Sequence, residues 1–96
     1  MIIGRGGTDV EERRDFTTLL LPAGTAQIRE ALKKLDISRR INMSDNDTQR
    51  LTDTIIRIAE FASQYHDRLD ELDVNPIILD ASGEVTAVDT FIRLVP

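Results

Sequence analysis

The chain has 96 residues, with 12 basic and 17 acidic side chains for a net charge of -5, and it is 41% hydrophobic but only 4% aromatic, with no Cys and no Trp. This describes one small domain with a core of Leu, Ile and Val, and the acid excess argues against nucleic acid or an anionic membrane as its main partner. The lack of Cys excludes disulfides, thiolate nucleophiles and Cys-type zinc sites. No apolar run approaches the roughly 18–20 residues that span a bilayer and the N-terminus lacks a signal-peptide pattern, so a cytoplasmic location is expected.

In chain order, residues 1–3 read as a short strand and residues 4–8 as a loop. Gly4-Arg5-Gly6-Gly7 lets successive backbone N–H groups turn toward an anion, as phosphate cradles do. It lacks the spacing of a P-loop or a dinucleotide fingerprint, and a plain turn between strands accounts for the same residues. Glu11, Glu12, Arg13, Arg14 and Asp15 read as a solvated charged stretch, since exposed ion pairs contribute little. Residues 15–21 read as a strand stopped by Pro22 and Gly24.

Two helices are expected next. Ile28, Ala31, Leu32 and Leu35 recur at helical spacing, Glu30 and Lys34 form a favourable i,i+4 pair, and Thr25 is the expected N-cap. Residues 37–43 form a connector without a clear period. Ser44 with Asp47 has the capping-box spacing and opens the second helix. Its apolar stripe of Leu51, Ile55, Ile58, Ala62, Tyr65 and Leu69, widened by Ile56, Ala59 and Phe61, runs for about five turns of 3.6 residues. His66, the single histidine, falls near the end of this helix, where a surface position suits a cation beside the helix dipole.

The last third of the chain carries the most informative pattern. Two runs rich in β-branched residues, 74–79 and 85–88, flank Asp80-Ala81-Ser82-Gly83. Ala81-Ser82-Gly83 fits a three-residue hairpin loop ending in a left-handed residue, which glycine adopts without a Cβ penalty. With Asp80 opposite Glu84, Leu79 faces Val85, Ile77 faces Ala87 and Asn75 faces Asp89. Directly opposed residues have Cβ atoms roughly 4.5–5.5 Å apart. An amide and a carboxylate oxygen at that spacing suit a small hard cation such as Mg2+, which often takes only one or two protein ligands. The competing reading is structural: Asn75 donates a hydrogen bond to Asp89, and Asn75-Pro76 simply ends a strand.

Glu71-Leu-Asp-Val-Asn-Pro-Ile-Ile, a short turn and then Ala87-Val88-Asp89 resemble the end of the ATP-grasp domain in nucleoside-diphosphate-forming acyl-CoA synthetases. That family includes acetyl-CoA synthetase (ADP-forming) and, more distantly, succinyl-CoA synthetase β subunits. Gly4-Arg5-Gly6-Gly7 with Val10-Glu11, and the strand from Asp15 to Pro22, are similar to the preceding glycine-rich turn and strand, although Thr8-Asp9 and Glu12-Arg13-Arg14 are more polar than the family pattern.

The resemblance implies that Asn75 and Asp89 hold the Mg2+ that bridges the phosphates of ATP or ADP. Gly6, Gly7, Glu11, Asp73 and Arg93 are further candidate nucleotide or phosphate contacts. It also implies that residues 1–96 form one domain that is part of a larger ATP-grasp domain, whose earlier half supplies the adenine pocket and phosphate-binding lysines. The expected partners are therefore that half, the CoA-binding domains and the nucleotide. The family's phosphohistidine belongs to a different domain, and nothing around His66 matches it. The segment alone is expected to be inactive.

The expected architecture is α+β, a small, mostly antiparallel sheet covered on one face by two helices, with Leu72, Val74, Ile78 and Val88 on one side of the hairpin and Asp73, Asn75 and Asp89 on the other. A non-catalytic protein-interaction module is the alternative functional reading.

Overall fold

A computed structural model describes residues 1–6 and 14–96. Strand β1 (Ile2–Gly4) pairs antiparallel with β2 (Phe16–Thr18), Ile2 opposite Thr18 and Gly4 opposite Phe16. Backbone bonds from Leu19 N to Met1 O and from Arg5 N to Asp15 O, both 2.8 Å, carry the pairing past each end. The regular part of β2 is thus shorter than the seven-residue strand expected from sequence.

Helix α1 (Thr25–Lys34) starts one residue earlier than expected, at the residue read as its cap. Gly24 is the N-cap, Thr25 is already helical, and the Gly24 amide donates to Gln27 Oε1 at 2.6 Å. The aperiodic connector contains a short helix, α2 (Asp36–Arg40). Its cause lies 21 residues upstream: the Asp15 carboxylate accepts the backbone N–H of Asp36 (2.7 Å) and of Ile37 (2.8 Å). Two otherwise orphaned helix-start donors are satisfied by one side chain, so Asp15 is a cap and not part of a solvated charge run.

Helix α3 (Asp45–Gln64) begins as expected, with Ser44 Oγ accepting from Asp47 N at 3.0 Å. It ends at Gln64, so Tyr65 lies in the following turn and Leu69 in a strand instead of on the helical stripe. The most buried line is also rotated from the expected one and comprises Thr48, Thr52, Ile55 and Ala59. Threonines serve there because Thr48 Oγ1 donates to Ser44 O (3.0 Å) and Thr52 Oγ1 to Thr48 O (2.7 Å). The helix itself absorbs their hydroxyls. The core is where α1 meets α3, around Ile28, Leu32, Leu35 and Ile55, with Met1, Ile3, Leu19 and Ile37 packed at its margin.

After residues 65–68 the chain runs out as β3 (Leu69–Val74) and β4 (Ile77–Leu79), turns, and returns as β5 (Val85–Ala87) and β6 (Thr90–Leu94). β4 pairs with β5 and β3 with β6, both antiparallel. The α+β class stands, but the sheet is divided into three two-stranded ladders and the helices number three among the described residues. The facing pattern differs too. Leu72 and Val74 are half-buried as expected, whereas Ile78 and Val88 are exposed, and Ile77 and Leu79 take the covered side. The alternation slips by one where Asn75 and Pro76 are exposed in succession, at the residue that has no N–H to give a ladder.

Between β1, the helices and the β3/β4 strand lies an open trough of about 890 Å³, floored by Leu32, Leu35, Leu51, Ile55 and Ile58. No helix among the described residues is long and apolar enough to cross a membrane.

Candidate functional site: the break in the ribbon

The hairpin loop sets everything beyond it. Gly83 has φ +85°, Gly83 N donates to Asp80 O (3.0 Å), and Asp80 N donates to Glu84 O (3.0 Å). These are the bonds of the three-residue loop expected from Ala81-Ser82-Gly83. The Asp80 side chain reinforces it, Oδ1 accepting from Ser82 Oγ (2.6 Å), Ser82 N (2.9 Å) and Glu84 N (3.0 Å). Led by the Ser82 hydroxyl and the Glu84 amide, these donors hold the Asp80 carboxyl below its ordinary value of 3.8. The sequence carried a signal for this role, since an Asp two residues before a Ser at a turn is placed to fold back on the backbone.

From that loop one register runs back as far as Glu71, opposite Arg93, and shifts only at a bulge between Leu69 and Glu71. Leu79 lies opposite Val85 and Ile77 opposite Ala87; beyond the break Val74 lies opposite Thr90 and Asp73 opposite Phe91. The chain neither gains nor loses a residue at the interruption. Val88 N donates to Pro76 O and Asn75 N to Asp89 O, each at 3.0 Å. Asn75 and Asp89 therefore stand abreast, as the hairpin arithmetic expects, at the break between the two ladders, and both are exposed.

The two side chains present hard oxygen donors of the kind magnesium prefers. Among the described residues no cluster of three or more His, Cys, Asp and Glu side chains could form a metal cage. A cation at the pair would take its remaining ligands from water or from a bound phosphate. The local field favours a cation: between residues 69 and 94 stand Asp70, Glu71, Asp73, Asp80, Glu84 and Asp89, against a single basic residue, Arg93.

The other expected contacts are distributed unevenly. Gly6, Asp73 and Asn75 line the trough, Gly6 from the β1 side and the other two from the ribbon. Gly7 and Glu11 lie outside the described residues. Arg93 is held by two carboxylates, its Nε donating to Asp70 Oδ2 at 2.8 Å and its Nη2 to Glu71 Oε2, and its guanidinium lies 5.7 Å from the centre of the Phe91 ring. A phosphate at Arg93 would have to compete with both acids. His66 is exposed in the turn after α3, with Nδ1 3.0 Å from Ser63 O and Nε2 2.7 Å from Asp67.

One contact had no local sign in the sequence. Arg50, on the second turn of α3, donates from Nη1 to Gly83 O at 2.7 Å across a separation of 33 residues.

Compared with known proteins, residues 1–94 match the family model for the ATP-grasp domain. No curated protein and no solved structure matches the chain.

Proposed function

The chain belongs to the ATP-grasp domain family, and from that premise we propose that it is the part of a nucleoside-diphosphate-forming acyl-CoA synthetase whose interrupted ribbon holds nucleotide-bound Mg2+ through Asn75 and Asp89. ATP-grasp domains bind ATP or ADP with Mg2+ and serve ATP-dependent, ligase-type reactions. In the enzyme proposed here the reaction joins a carboxylic acid to CoA at the expense of ATP, giving acyl-CoA, ADP and phosphate, or runs in reverse.

The observation that carries the reading is the common register on both sides of the break, which leaves Asn75 and Asp89 exposed and opposite one another at the lapse in the ladder. An amide and a carboxylate from facing strands offer two oxygens on one side of an ion, leaving its other side for phosphate oxygens and water. Asn75 and Asp89 would hold the ion, which when bound would supply charge neutralisation and orientation of the phosphates, the two effects on which phosphoryl transfer mostly depends. Asp73, two residues before Asn75 and also at the trough, adds to the negative field there.

The trough supports the second half of the proposal. Ile2, Phe16, Leu21 and Ile41, all in the lining of this 890 Å³ trough, are exposed, and together they are more apolar surface than so small a domain gains by exposing. The remaining half of an ATP-grasp domain is their proposed cover, with Gly6 approaching the nucleotide from the β1 side, Gly7 and Glu11 as further proposed contacts, and the CoA-binding domains completing the enzyme.

The test is a titration of the 15N-labelled chain with Mg2+ and ATP together, followed by the amide signals of the ribbon. Shifts centred on Asn75 and Asp89, lost in Asn75→Ala and Asp89→Asn, support the reading. Saturating Mg2+ and ATP that leave both amides unmoved, while the chain remains folded, contradict it and favour an interaction module.

A further inference from the structure

The ribbon is attached to the rest of the molecule at few points, and their placement is specific. Helix α3 has 20 residues and is therefore about 30 Å long. From Leu69 to Asp80 the outgoing strand covers about 36 Å in extended form. It sets out from the C-terminal end of the helix, and its tip comes back to the helix's N-terminal part, where Arg50 meets Gly83. The helix acts as a strut and the ribbon as a strap along it, rooted by the chain at one end and tied by one side chain at the other. The outgoing strand walls the trough from Leu69 to Leu79.

The returning strand, which carries Asp89, depends on that tie most. Among residues 83–94 only Gly83 is buried and only Val85 half-buried; Glu84 and everything from Thr86 onward is exposed. The contact at Gly83 is close-fitting: a Cβ there would lie 3.3 Å from both Arg50 Nη1 and Asp47 Oδ1. A guanidinium donating to a carbonyl in a partly buried site makes a charge-assisted bond, stronger and more directional than a neutral one.

From this arrangement we infer that Arg50 is a positioning residue for the Asn75–Asp89 pair, which it touches nowhere, fixing the strap at its tip and so the placement of the two oxygens at mid-span. The inference deepens the proposed metal site and rests on it for its functional meaning. The strap and its tie are nevertheless measurable without any ligand. Releasing the tip frees the ribbon to pivot about its root at Leu69 while α1 and α3 keep their packing.

The experiment compares the 15N-labelled chain with its Arg50→Gln and Arg50→Lys variants, by amide hydrogen exchange and by the Mg2+ and ATP titration. In Arg50→Gln the amides of Asn75 and Val88, bonded across the break, lose protection by about tenfold, the scale of one charged hydrogen bond, and any response of Asn75 and Asp89 to Mg2+ with ATP weakens. The amides of Ile55 and Ala59 keep their protection, and Arg50→Lys, which retains one charged donor, recovers part of both losses. Unchanged protection at Asn75 and Val88 overturns the inference, as does an equal loss at Ile55 and Ala59, which would make Arg50 an ordinary contributor to global stability. If the unaltered chain gives no response to Mg2+ with ATP but Arg50→Gln still loosens the break selectively, the metal reading fails and the tie stands.

Discussion

Removing the Asp15 carboxylate tests how the N-terminal hairpin is joined to the helices. Its two oxygens accept the Asp36 and Ile37 amides at 2.7 and 2.8 Å, and its backbone carbonyl accepts Arg5 N at 2.8 Å, so one residue ties the β1/β2 ladder to the start of α2. Asp15→Ala leaves two helix-start N–H groups to water or to nothing. Loss of a helix cap costs roughly 0.5–2 kcal/mol, and hydrogen bonds to a charged group lie at the upper end of the usual range. The side chain is half-buried, and a loss of about 2 kcal/mol is expected for Asp15→Ala. Asp15→Asn keeps one acceptor oxygen but no charge and should lose about 1 kcal/mol. At roughly 4–8 °C per kcal/mol for a domain of this size, the alanine variant melts about 8–16 °C lower. Urea unfolding should show the midpoint falling with the slope unchanged. A loss below about 0.5 kcal/mol for Asp15→Ala would refute the capping role.

Three further outcomes follow from the same packing and electrostatics. Ile28→Ala, at a residue 0% exposed in the centre of the α1/α3 contact, should cost about 3–4 kcal/mol in chemical denaturation, a large fraction of the stability of so small a domain. The Asp80 carboxyl, held below 3.8 by Ser82 Oγ, the Glu84 amide and the other loop donors, stabilises the fold fully above its unfolded value. That contribution is lost as the pH falls below 3.8 through the depressed folded value. An NMR titration should therefore place the Asp80 midpoint below 3.8, and Asp80→Asn should flatten the acid limb of the stability profile. Arg93→Gln should change stability by less than about 1 kcal/mol in the same denaturation assay, because the pairs it makes with Asp70 and Glu71 are solvent-exposed.

What the sequence disclosed was local, and what it concealed was distant. The hairpin register could be read because a glycine-closed loop and period-two alternation lie within fifteen residues of each other, and the register, though not the alternation, proved to hold from Asp80 back past Asn75. The Ser44 cap was legible for the same reason. Helix α2 was not, because its cap is a carboxylate 21 residues away, and Arg50 was not, because its acceptor is 33 residues away. The most buried face of α3 was misplaced for a chemical reason. A search for apolar residues passes over Thr48 and Thr52, whose hydroxyls bond within the helix and leave their methyl groups to the core. The phase slip at Asn75-Pro76 escaped because alternation was carried straight through a residue that cannot donate to a ladder.

The metal pair itself is tested most directly by adding Mn2+ with ADP to the 15N-labelled chain and following paramagnetic broadening along the ribbon. Coordination by Asn75 and Asp89 predicts that their amides and those of Pro76's neighbours broaden at the lowest Mn2+ ratio, ahead of the loop at Asp80 about 17 Å along the strand, and that Asp89→Asn removes the effect. Broadening that is strongest at Asp80 and Glu84, or equal at every acidic residue from Asp70 onward, would contradict the account.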